Sequence, residues 1–215
     1  MNIWSGSWGL GDILLMTAPC KYRNDITVIL PKNQSRYSFI FDDIANVQLV
    51  DTPPSGGCGV GDGTFVERLL RYCGLEGVDT TPQIKVKQEY IDKAKDLIKD
   101  IHNPIIFKPT CSKHWAHIRQ PSTDYWNLSS EYTNILCGTS DNDLNFNGIK
   151  LLDLDLQTLS GLYSIVGKYV GVDTGDMHLM LAVGGVCEVH VPPSGNEYNH
   201  NEWHYRNDRV RYVQW

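Results

Sequence analysis

The chain has 215 residues, 41% of them hydrophobic and 20% charged, with a net charge of −6; it is long enough for one large core or two small ones and too apolar for a disordered or fibrous protein. The negative balance argues against non-specific binding to a nucleic-acid backbone, which depends on clustered Lys and Arg. No apolar run reaches the ~20 residues of a membrane span, the opening MNIWSGSWGLGD lacks the features of a signal peptide, and the six cysteines (Cys20, Cys58, Cys73, Cys111, Cys137, Cys187) form no C-x-x-C pair, so a cytoplasmic protein with reduced thiols is expected.

Asn2 to Ser5 reads as a short strand, followed by the turn WGLGD and an apolar stretch, Ile13 to Cys20, that suits a buried helix. Asp25 to Leu30 (DITVIL) is rich in β-branched residues and closed by Pro31, which predicts a buried parallel strand. Ser35 to Phe41 reads as a short helix and Val47 to Val50 as a third strand. The next thirteen residues, DTPPSGGCGVGDG, are dense in Pro and Gly and must form a loop. Thr64 caps a helix over Phe65 to Cys73 that stops at Gly74. The run to Pro82 reads as the seam between an N-terminal half, residues 1–82, and a C-terminal half, 83–215.

Ile84 to Lys99 predicts a strand end and then an amphipathic helix with a solvated basic face. Strands are expected at Pro104 to Phe107, Thr133 to Cys137, Lys150 to Leu152, Tyr169 to Val172 and Val186 to Val191, with helices between them. One helix covers Gln157 to Val166, with Thr158 as its expected cap, and another covers Met177 to Val183. Alternating strands and helices imply an α/β protein with parallel sheets, whose ligands bind at the carboxyl ends of the strands.

Two loops after strands carry the chemistry. Gly9-Leu10-Gly11-Asp12 follows the first strand and delivers a carboxylate to the start of a helix; on spacing alone, Asp12 equally serves as an acidic residue in a first helical turn. Asp173-Thr174-Gly175-Asp176-Met177-His178 joins a strand to a helix, where backbone N–H groups, the Thr174 hydroxyl and the His178 imidazole offer donors to an anion. The plainer reading is routine capping by Asp173 with a half-buried His178.

The segments GDILLMTAP at Gly11 to Pro19 and VGVDTGDMHL at Val170 to Leu179 resemble the first and last motifs of glycosyltransferase family 9, the ADP-heptose lipopolysaccharide heptosyltransferases. Asp25 to Asp51, Glu67 to Val78 and Pro104 to Trp126 are similar to further parts of that family in order, so the resemblance covers most of the chain. It implies a glycosyltransferase B architecture: two small Rossmann-like domains facing a central cleft, the acceptor side N-terminal and the nucleotide-sugar side C-terminal. It further implies metal-independent transfer with inversion, needing no cofactor beyond the nucleotide-sugar donor. Asp12 falls on the family's proposed general base, and Gly11 beside it is expected to bind the donor. Asp173, Thr174, Gly175, Asp176, Met177 and His178 fall on the donor-phosphate loop. The cation that neutralises the diphosphate falls on Arg119, seven residues before Trp126, with Lys113 as the competing choice; the alternative for both is a solvated surface charge.

Several features depart from the family. The Gly- and Pro-rich loop after Asp51 replaces strands and helices that shape the acceptor side, so heptose and lipopolysaccharide are not carried over. Asp176 stands where the family has an apolar residue or proline, and a carboxylate beside a diphosphate is repulsive unless it turns away or meets a sugar hydroxyl. Asp153-Leu154-Asp155 matches the short D-x-D metal pattern but lacks supporting ligands. His200 and His204 read as exposed loop histidines. The sequons at Asn33 and Asn127 matter only in a secretory compartment. The leading function is sugar transfer to a saccharide or small-molecule acceptor, a nucleic-acid acceptor being less favoured. The alternative is a non-catalytic module that binds a nucleotide or nucleotide sugar; Asp12 speaks for catalysis and the shortened half for binding.

Overall fold

The computed structural model describes residues 1–5, 9–59, 62–112, 114–127, 129–138, 145–193, 205 and 208–215. It divides into two compact units, Met1–Lys85 with Asn199–Arg206, and Val86–Tyr198 with Asn207–Trp215.

In the first unit β1 (Asn2–Ile3) leads to helix α1 (Leu10–Leu15), and α2 (Thr17–Cys20) follows at once. The single helix expected over Ile13 to Cys20 is broken at Met16, because Pro19 has no N–H to give the Leu15 carbonyl and fits only within a first turn. Thr17 ties the break down: its hydroxyl donates to the Leu14 carbonyl at 2.7 Å and accepts from the Gln83 N–H at 2.8 Å. Strands β2 (Thr27–Pro31) and β3 (Asn46–Val50) complete a parallel sheet of order β1-β2-β3. Between them Lys32–Phe41 is a 3-10 helix, longer than the predicted turn of helix at Ser35. Helix α3 (Phe65–Tyr72) opens with the expected Thr64 cap, in a reciprocal box with Glu67. It buries Phe65, Val66, Leu69 and Leu70.

The second unit begins with α4 (Gln88–Ile98); the residues before it, expected as a strand end, pair with no strand. Its strands are β4 (Pro104–Lys108), β5 (Thr133–Gly138), β6 (Ile149–Leu152), β7 (Lys168–Val172), β8 (Val186–Val191) and β9 (Val210–Gln214). They form one parallel sheet of order β6-β5-β4-β7-β8-β9. This is the doubly wound order, in which the direction of winding reverses between the first and fourth strands, here β4 and β7, and opens a ligand crevice at their carboxyl ends. β9 was not expected from the sequence.

Short α5 (Ala116–Arg119) lies in the β4–β5 connection, and α6 (Leu156–Val166) and α7 (Gly175–Ala182) flank β7 along the chain. α6 packs on α4, with Gly161 against the Tyr90 backbone. Asp155, not Thr158, caps α6: its carboxylate accepts the Thr158 N–H at 2.8 Å and the Thr158 hydroxyl at 2.7 Å. The sequence D-L-Q-T offers both residues as caps, and the carboxylate one turn earlier is the one placed to accept. Among the described residues no helix is long and apolar enough to cross a membrane.

Candidate functional site

β7 ends at Val172 and the chain turns through Asp173 and Thr174 into α7. Thr174 is the N-cap and accepts the Asp176 N–H at 3.3 Å. Asp173 is buried, with 4% of its surface exposed, and two cationic or potentially cationic groups converge on it. The Arg119 guanidinium lies 3.7 Å from one carboxylate oxygen and His178 Nε2 lies 3.8 Å from the other. Both separations exceed a direct hydrogen bond, so these are electrostatic contacts at ion-pair range, that of His178 depending on its protonation. Arg119 arrives from α5 and stacks over the Trp115 ring, 4.5 Å from its centroid. His178 sits one turn into α7 and is buried.

Around this group lie residues that the sequence reading did not single out. Lys108, at the end of β4, pairs with Gly171 of β7 across the reversal point. It is 6% exposed, and its ammonium donates to the Cys137 carbonyl at 3.4 Å. The Cys111 thiol reports the neighbourhood: burial pushes it up to about 11, the Arg119 and Lys108 charges oppose that, and Asp173 adds to it. Gly171 is required by packing, since a Cβ there would strike the Lys108 carbonyl and come within 2.9 Å of the Tyr169 hydroxyl. Tyr169 thus reaches over β7, donating to the Val172 carbonyl at 2.6 Å and meeting Thr174 Oγ1 at 3.2 Å.

On the neighbouring strand His190 stands opposite Val172. Its Nδ1 meets the Tyr125 hydroxyl at 2.7 Å and its Nε2 meets Glu188 at 3.1 Å. The carboxylate needs a donor, so Nε2 carries the proton and Nδ1 accepts from Tyr125. Burial lowers the His190 pKa, with Glu188 opposing, and the neutral ring pins the end of the segment that carries Arg119. A sequence offers no sign of this link, because it joins residues 65 positions apart.

The expected site residues therefore fall as follows. Arg119, Asp173, Thr174, Gly175, Asp176 and His178 come together at the carboxyl end of β7. Met177 is fully buried, and its N–H is taken by the Thr174 carbonyl at 3.1 Å, which leaves it a packing role in α7. Lys113, His200 and His204 lie outside the described residues. Gly11 and Asp12 belong to the first unit, in the opening turn of α1. Asp12 is half-buried, and its Oδ2 folds back toward Gly9, 3.1 Å from where a Cβ on that glycine would sit. The carboxylate thus stays near the positive end of the helix. Of the D-x-D pair, Asp155 is engaged in capping α6 and in an ion pair with Lys93 at 3.0 Å. Among the described residues no group of three His, Cys, Asp or Glu side chains has metal-binding geometry.

No protein-family model and no curated protein matches the chain. Solved structures do. The chain aligns over its full length with 85% of a family 9 glycosyl transferase from Veillonella parvula, at a TM-score of 0.69 and 12% identity. It also aligns over 99% of its length with 89% of the ADP-heptose lipopolysaccharide heptosyltransferase II of E. coli, at a TM-score of 0.58 and 17% identity. The resemblance read from the two motifs is thus met in three dimensions, and the chain has the α/β fold, built on parallel sheets, of these glycosyltransferases.

Proposed function

We propose that the protein is an inverting, metal-independent glycosyltransferase that moves a sugar from a nucleotide-diphosphate sugar to an acceptor hydroxyl. The observation that carries this reading is the convergence of Arg119, Asp173 and His178 with the capped start of α7 at the carboxyl end of β7, beside the reversal point of a doubly wound sheet. A diphosphate placed there meets a planar guanidinium able to bind two oxygens at once. The positive end of α7 adds to that attraction.

In the proposed reaction the acceptor oxygen attacks the anomeric carbon from the face opposite the diphosphate. Its proton passes to the Asp12 carboxylate as the new C–O bond forms. The bond from the anomeric carbon to the β-phosphate oxygen breaks, and its electron pair leaves with the diphosphate. Arg119, and His178 when protonated, neutralise the charge that grows on that oxygen. Asp173 holds both side chains in place before the donor arrives.

The test is calorimetric titration with nucleoside diphosphates and nucleotide sugars, on wild type and Asp12→Ala, with released nucleotide assayed across a panel of saccharide acceptors. Saturable binding that survives Asp12→Ala, with turnover that does not, is the expected result. Binding without turnover for any acceptor assigns the protein to the non-catalytic nucleotide-sugar binders instead. Absence of binding sinks both readings.

A further inference from the structure

Asp176 is the residue by which this loop departs from the family it resembles, and its surroundings give the departure a meaning. The fully buried Tyr163 of α6 donates to Asp176 Oδ1 at 2.7 Å. Thr174 Oγ1 lies 3.4 Å from Oδ2. Burial, and then the Asp176 charge, hold the Tyr163 pKa well above its ordinary value, so the phenol remains a donor.

Counting protons fixes the direction of the remaining bonds. The single hydroxyl proton of Tyr169 goes to the Val172 carbonyl at 2.6 Å, so in its 3.2 Å contact with Thr174 Tyr169 accepts. The Thr174 proton is directed to Tyr169 or to Asp176. Thr174 already accepts the Asp176 N–H. The loop therefore sets a half-buried carboxylate, and a hydroxyl whose proton is already engaged, beside the proposed diphosphate site.

We propose that Asp176 is a specificity-determining residue that makes the loop favour a diphosphate esterified at both ends over a free nucleoside diphosphate, and so favour the sugar donor over the spent leaving group. The proposal rests on the donor-binding reading above. An esterified phosphate carries about one negative charge, whereas a free terminal phosphate carries roughly 1.5 to 2 near neutral pH. That added charge appears on the β-phosphate as the sugar departs, within reach of a carboxylate that cannot leave. The repulsion is felt more by product than by donor, and it hastens release, a step that often limits turnover.

The experiment measures dissociation constants at pH 7 for ADP, UDP and GDP and for their glucose esters, on wild type, Asp176→Asn and Tyr163→Phe, with thermal unfolding of each variant. Asp176→Asn keeps an acceptor for Tyr163 and removes the charge. It is expected to tighten the free diphosphate relative to its matching ester by roughly three- to tenfold, the scale of one unit charge acting through a partly hydrated site. Tyr163→Phe keeps the charge but strips it of its strongest donor, so the ratio is expected to move the opposite way. A network with only a structural role weakens both ligands in parallel in both variants, and that result, or an unchanged ratio in Asp176→Asn, overturns the proposal while leaving the donor-binding reading intact. If folded wild type binds none of the six nucleotides, the donor-binding reading fails and this proposal fails with it.

Discussion

Removing Arg119 tests the anion site through two independent quantities. Its side chain is 17% exposed and that of Asp173 5% exposed, so Arg119→Ala removes a cation from beside a buried carboxylate. Breaking a buried pair costs about 3–5 kcal/mol. The 3.7 Å separation and the presence of His178 at 3.8 Å reduce that figure, and a loss of ~2–3 kcal/mol in urea unfolding is expected. For ligand, a hydrogen bond to a charged group is worth roughly 1.5–3 kcal/mol, which predicts a loss of about 10- to 150-fold in affinity for ADP or inorganic pyrophosphate. Arg119→Lys separates the two effects: it restores most of the stability because Asp173 regains a cation, yet keeps at least a tenfold binding defect because an ammonium cannot form the two-pronged contact. Calorimetric titration beside urea unfolding reads both. If folded Arg119→Ala binds pyrophosphate as wild type does, Arg119 belongs to the scaffold and the anion site is misplaced.

Gly161→Ala drives a Cβ into the Tyr90 backbone at the contact of α6 with α4; a destabilisation of roughly 1–3 kcal/mol is expected, and a wild-type melting temperature refutes the packing. Asp155→Ala removes the α6 cap and is expected to cost about 1 kcal/mol. Burial raises the Asp155 pKa, but hydrogen bonds from Thr158 and Lys93 more than reverse this and bring it to about 2. The cap's contribution is therefore complete above the unfolded value near 4 and is lost as pH falls toward 2, so the stability gap between wild type and Asp155→Asn should close over that window. All six cysteines are free and buried. Burial pushes the Cys20 thiol up to about 12 and Cys73 and Cys111 up to about 11. A thiol reagent at pH 8 should accordingly label native protein far more slowly than urea-unfolded protein; rapid labelling at one site marks a thiol that the fold exposes.

The alternation of apolar runs with Gly, Pro and Asp turns made the strands β2, β4, β5, β7 and β8 legible, because buried parallel strands are short continuous apolar segments with clear ends. The loop from Asp173 to His178 was legible for the same reason: it follows such a strand and opens a helix. β9 was not, since its residues Val210–Gln214 alternate with polar side chains after a long polar stretch, and only pairing with β8 identifies them. The break at Met16 depends on one proline inside an otherwise apolar run. The supports of the site were illegible altogether. Tyr163 and Asp176 lie thirteen residues apart on different helices, and Lys108 meets Gly171 only because the sheet reverses there. Patterns of spacing report what repeats along a chain, and these contacts do not repeat.

The loop after β3 also bears on the edge of the smaller sheet. In the order β1-β2-β3 the first strand lies at an edge of the described sheet, where unpaired backbone groups invite aggregation. The Gly- and Pro-rich loop answers this at one residue. The Cys58 N–H donates to the Trp4 carbonyl at 3.1 Å, its thiol donates to the same oxygen at 2.8 Å, and the Trp4 N–H points to the sulfur at 3.1 Å. The next residue must be glycine twice over. Gly59 has φ +91°, and a Cβ on it would lie 2.6 Å from the Arg68 carbonyl of α3. Cys58 and Gly59 thus lie between the residue that follows β1 and the backbone of α3, and Gly59 has no room there for a side chain.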